Sequence, residues 1–152
     1  MDHPALLIVM RLLHIVGAIL LVGGTAFILT CAVPALRTID DTWRDTVLTL
    51  LRKRFARWVW IGIAMLLISG TYNWIASAGE YKAMGPIGNA LIGTKVLIAI
   101  ILFALIWAQQ TGLVRHRSPR AALMINIHLG AVVIILAVVL RHFRLEHLAT
   151  GG

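Results

Sequence analysis

Four ionisable side chains fall inside long apolar stretches that hold no Asp or Glu: Arg11, His14, Lys95 and His128. A charged group at the centre of a bilayer costs at least about 2.5–3.5 kcal/mol, so such residues are rare there and usually functional. Their types suggest a chemistry. A neutral imidazole nitrogen is an axial ligand for haem iron, and helix bundles hold cofactors on side chains of facing helices. His14 and His128 are the axial candidates for a haem b. Arg11 and Lys95 would neutralise its propionates, supplying the anions that the apolar stretches lack. Tyr72 and Asn73 reach a similar depth and complete the candidate cofactor-binding set.

Other readings of the same residues stay open. Met10/His14 and Met124/His128 are each i,i+4 pairs, so each pair shares a helix face. Thioether and imidazole donors suit Cu(I), although Arg11 and Lys95 would repel a metal ion. A third reading has no cofactor: a membrane histidine hydrogen-bonds a neighbouring helix, Arg11 and Lys95 snorkel to the interface, and the chain is an assembly subunit. A di-haem arrangement lacks ligands. His142 sits at the end of the last apolar segment, and His3, His116 and His147 fall in loops or interfaces.

The elements that must position these groups follow from composition. The chain has 152 residues, 60% hydrophobic and 13% charged, too apolar and too short for several soluble domains. We expect one integral membrane domain over residues 1–152. Its transmembrane segments lie at about 5–33, 58–78, 87–109 and 121–140, each near the roughly 20 residues that cross a bilayer core. Lipid cannot satisfy open backbone, so each must be a helix. The fold class is all-α, a four-helix transmembrane bundle. There is no P-loop, GxGxxG or CxxC motif, and the single cysteine, Cys31, excludes an internal disulfide.

Charge sets the expected orientation. Arg37, Arg44, Arg52, Lys53, Arg54, Arg57, Arg115, Arg117 and Arg120 flank one side, while Lys82, Arg141 and Arg144 flank the other. The positive-inside rule then puts both termini outside. The net charge of +8 is a topology signal and a contact with anionic lipid, not a nucleic-acid surface. Asp40 and Asp41 are N-cap candidates. Trp43, Val47, Leu50, Leu51, Phe55 and Trp58 follow at helical spacing, which predicts an amphipathic cytoplasmic extension before helix two. Counting rises of 1.5 Å, His14 and His128 differ in depth by roughly 7 Å.

Helix one reads Arg11-Leu12-Leu13-His14-Ile15-Val16-Gly17-Ala18, then Val22-Gly23-Gly24. This resembles the opening of CopD-like copper-resistance membrane domains and HemJ-type protoporphyrinogen oxidases. Ile68-Ser69-Gly70-Thr71-Tyr72 and Asn126-Ile127-His128-Leu129-Gly130 resemble the former group. Thr94-Lys95-Val96-Leu97 resembles the Lys-bearing helix of both. The resemblance implies that His14 serves haem binding and that Lys95 is the matching lysine. It also implies a multi-pass protein of a bacterial inner (plasma) membrane. Val22 stands where these families carry Trp. Thr30-Cys31-Ala32-Val33 stands where the oxidases carry Tyr-His-Ala-Glu, a departure that bears on porphyrinogen oxidation while leaving oxidation of a small hydrophobic substrate open. The expected partners are membrane lipid and a membrane or periplasmic redox protein, with self-association left open.

Overall fold

The computed structural model describes residues 4–111 and 119–149. There are no strands among the described residues. Helix α1 runs Pro4–Thr38 and α2 Asp41–Ala76. A short α3, Ala78–Ala83, leads into α4, Gly85–Thr111, and α5 spans Pro119–Ala149. Helices α1, α2, α4 and α5 are each long and apolar enough to cross a membrane. Their flanks expose large aliphatic side chains, such as Ile8, Ile19, Ile100 and Ile135, which only a hydrocarbon solvent would accept.

Local chemistry explains the ends. Asp40 caps α2, its side chain accepting from the Thr42 N–H at 2.9 Å. This satisfies one of the donors a helix start leaves open. Pro119 opens α5 at a position where its missing N–H costs nothing. Gly85 has a φ of +66°, a conformation that favours glycine, and reverses the chain from α3 into α4. Ser118 and the basic residues Arg115 and Arg117 lie outside the described residues, as do His3 and His116.

Helix α1 extends beyond the expected end near Val33. Pro34 lies inside it and offers no N–H to the preceding turn. The helix accommodates this with a π-helical turn at Ile28–Ala32, after an earlier one at Ile19–Gly23. The hydroxyls of this stretch fold back on the helix. Thr25 donates to the Leu21 carbonyl at 2.6 Å and Thr30 to the Ala26 carbonyl at 2.8 Å. A hydroxyl in an apolar surrounding is costly without such a partner.

Helix α2 contains 36 residues, a length of roughly 54 Å against a bilayer core of about 30 Å. The expected extension and span two are therefore one unbroken helix. Its first turns expose Trp43, Val47 and Leu50.

The helices meet in layers. In the lower half, Leu21 of α1, Val59 and Ile63 of α2, and Leu102 and Ile106 of α4 form the buried core. Phe55, Phe103 and Leu129 pack around it, so all four long helices contribute. Glycines bring α1 and α2 together just above. A Cβ on Gly17 would stand 3.2 Å from the Gly62 carbonyl oxygen, and one on Gly62 would stand 3.0 Å from Leu21 Cγ. Small residues allow this approach where lipid supplies no hydrophobic drive. Gly130 of α5 takes Val22 of α1 in the same way, at 2.9 Å from a built Cβ. Gln109 and Asn126 join α4 to α5 by reciprocal amide hydrogen bonds of 3.3 and 3.0 Å.

Candidate functional site

The upper half, the end carrying the α1 N-terminus, α3 and the α5 C-terminus, holds the polar layer. Residues His14, Ser69 and Lys95 lie two turns above Leu21, Gly62 and Leu102 on their respective helices, about 10 Å higher. His14 faces α2, with its Nδ1 at 2.9 Å from Ser69 Oγ. Ser69 also donates to the Met65 carbonyl at 2.5 Å. Gly70 leaves room for the ring, since a Cβ there would stand 3.3 Å from His14 Cε1 and 3.7 Å from Nδ1. The Nδ1–Cε1 edge therefore rests on α2. The other nitrogen, Nε2, has no hydrogen-bond partner among the described residues and is not closed off from the surface.

Lys95 is half-buried on α4, within electrostatic reach of His14. The upper part of α1 packs along α2 but touches α4 only slightly.

Arg11 lies one turn above His14 and within electrostatic reach of Tyr81 on α3. Arg144 of α5 ties this end together. It pairs with Glu80 and donates to Ser77 Oγ at 3.3 Å. Tyr72 and Asn73 are half-buried one turn above Ser69. The Asn73 Oδ1 is buried with no partner among the described residues, an unpaired acceptor close to the site. A shallow groove of about 250 Å³ opens beside α3, lined by residues including Trp74, Tyr81, Lys82 and Asn89. It falls below the roughly 300–1,000 Å³ of ordinary ligand pockets and is too small for a porphyrin.

The structure brings His14 together with Ser69 and Lys95, but not with His128. Val22 packs on Gly130, which fixes the register of α1 against α5. His14 is eight residues above that contact and His128 two below it, so they differ by roughly 15 Å along the bundle. That is about twice the offset expected from counting. His128 is exposed, and its Nδ1 donates to the Met124 carbonyl of its own helix at 2.7 Å. The Met10/His14 and Met124/His128 pairs fall on different layers and do not pool their donors. Among the described residues, no group of three His, Cys, Asp or Glu side chains gathers for a metal ion.

Sequence reasoning missed Ser69 as the partner of His14. Its signal was a hydroxyl one turn below Tyr72 and Asn73 on the same helix face. Comparison with known proteins adds no identity: no family, no curated protein and no solved structure matches this chain.

The donor set suits a haem better than a bare cation. It offers one imidazole whose Nε2 has no partner among the described residues, two cations in Arg11 and Lys95, and a nearby carboxylate, Glu80, already paired with Arg144. Haem carries its own four nitrogen ligands and two carboxylates, so it needs few protein donors and welcomes the cations.

Proposed function

We propose that this chain is a haem b-binding redox protein of a bacterial inner membrane, with His14 as an axial ligand. The observation that carries the reading is the His14 ring, whose Nδ1 lies against Ser69 and whose Nε2 has no partner among the described residues, with Lys95 within electrostatic reach. Lys95 and Arg11 would face the two propionates. A bound haem would supply one-electron transfer at its iron. The chain's own contribution is to seat the imidazole between α1 and α2, supply positive charge beside it, and surround it with apolar helix. The resemblance to CopD-like and HemJ-type proteins supports the same use of His14 and Lys95.

The excess of basic residues at the lower ends supports an orientation with the upper half and both termini outside. The lower turns of α2 then form the amphipathic cytoplasmic extension. Electrons would pass between a membrane donor and a periplasmic acceptor, or come from a small hydrophobic substrate.

The test is an absorption spectrum of detergent-purified protein from cells supplied with haem. A Soret band that shifts with dithionite, with α and β bands, is expected. His14→Ala should lose the haem. His128→Ala should keep it, because His128 lies on another layer. A flat wild-type spectrum, or full haem content in His14→Ala, would overturn the reading. Bound copper without porphyrin would favour copper handling.

A further inference from the structure

Ser69 is fully buried, at 0% exposure, and its one hydroxyl serves two neighbours. It lies 2.5 Å from the Met65 carbonyl oxygen and 2.9 Å from His14 Nδ1. A serine has one proton to donate, and a carbonyl oxygen can only accept. The proton therefore goes to Met65. Oγ then meets Nδ1 only as an acceptor, so Nδ1 must carry a hydrogen. In a neutral imidazole the other nitrogen, Nε2, is then a bare lone pair. The reverse assignment would send the serine proton to Nδ1. It would leave two oxygens 2.5 Å apart with no proton between them, in a place where no water can repair the loss.

We propose that Ser69 is a positioning residue for His14. The relay from Nδ1–H to Ser69 and on to Met65 fixes both the tautomer and the plane of the ring, and presents Nε2 as an electron-pair donor. Metal-bound histidines are oriented in this way by a partner on the far nitrogen. Gly70 completes the seat, since a side chain there would press on the ring edge. The use of Nε2 as an iron ligand rests on the haem reading above, whereas the tautomer does not.

The experiment uses full-length protein made without haem and labelled with ring-¹⁵N histidine, at about pH 8, where an ordinary imidazole is neutral. A His14→Gln sample identifies the His14 signals. The wild type should show a protonated Nδ1 and an unprotonated Nε2. Ser69→Ala should lose that preference, and Ser69→Thr, which keeps the hydroxyl, should restore it. Haem added to the same three proteins should bind about 10–100-fold more weakly in Ser69→Ala, with Thr again rescuing. A proton on Nε2 in the wild type overturns the assignment. So does an unchanged tautomer in Ser69→Ala. If the tautomer behaves as expected and the wild type takes up no haem, the role of Ser69 stands and the haem reading alone falls.

Discussion

Tyr81 stands within reach of Arg144 and Arg11, yet its phenol is pushed above the ordinary value near 10.0, with burial the largest cause and Glu80 adding to it. Burial penalises the phenolate more than the two arginines favour it. The sign for stability follows. Below about pH 10 the phenol is neutral in both folded and unfolded chains. Above that, the unfolded chain gives up the proton first and binds fewer protons, so stability falls as pH rises through the folded value. The chain has two tyrosines, so phenolate absorbance can resolve them. Tyr81→Phe should remove a component that titrates above the ordinary value and soften the alkaline loss of stability. No difference between the phenolate titrations of the wild type and Tyr81→Phe above the ordinary value would count against the buried placement. At this scale the sequence revealed which residues were unusual but not their neighbours. His14 was visible because a histidine among aliphatic residues needs a reason. Its partner was not visible, because Ser69, Tyr72 and Asn73 share one face within a turn, and depth counting has an error of a turn.

Helix α1 meets α2 through a contact that tolerates no added atom. A Cβ on Gly17 would stand 3.1 Å from Leu66 Cγ and 3.2 Å from both the Gly62 carbonyl and Met65 Cβ. One of these is backbone, which cannot rotate away. Gly17→Ala should therefore part the helices and cost about 1–3 kcal/mol, the usual range for overpacking. It should also weaken haem retention, because the His14–Ser69 bond lies on the same seam. Gly93 is the control, with nothing within 4 Å of a built Cβ. Gly93→Ala should be neutral or slightly stabilising, as alanine is the better helix former. Unfolding of both variants in detergent checks the pair, and equal effects would mean that the α1–α2 contact is looser than described. The sequence anticipated the four long helices and the Asp40 cap, because each leaves a local signature. It did not anticipate the π-helical turns of α1. They answer Pro34 and the packing of neighbours, and each shifts the face and depth of every residue beyond it. Counting rises underestimated the separation of His14 from His128 because it starts from assumed helix ends, whereas the Val22–Gly130 contact sets the register of α1 against α5.

The whole molecule is asymmetric between its two ends. The lower half carries the apolar core of all four long helices, whereas the upper half carries His14, Lys95, Arg11 and the Glu80–Arg144 tie. The side on which the upper half emerges decides where a redox partner could approach. The proposed orientation, from the positive-inside rule, has it outside, and labelling can check this. On a Cys31→Ser background, Gly79→Cys reports on the upper end and Thr49→Cys on the lower turns of α2, both at exposed positions. A membrane-impermeant maleimide applied to cells with a permeabilised outer membrane should label Gly79→Cys. It should reach Thr49→Cys only after lysis. The reverse pattern would turn the molecule over. It would place the His14 layer near the cytoplasm and make a cytoplasmic protein the electron partner. The site's chemistry would be unchanged, because the His14–Ser69 contact and the reach of Lys95 come from helix packing that is independent of orientation. On the proposed reading, charge distribution therefore decides the side from which a redox partner approaches, and the helix contacts decide whether the His14 layer can hold a haem.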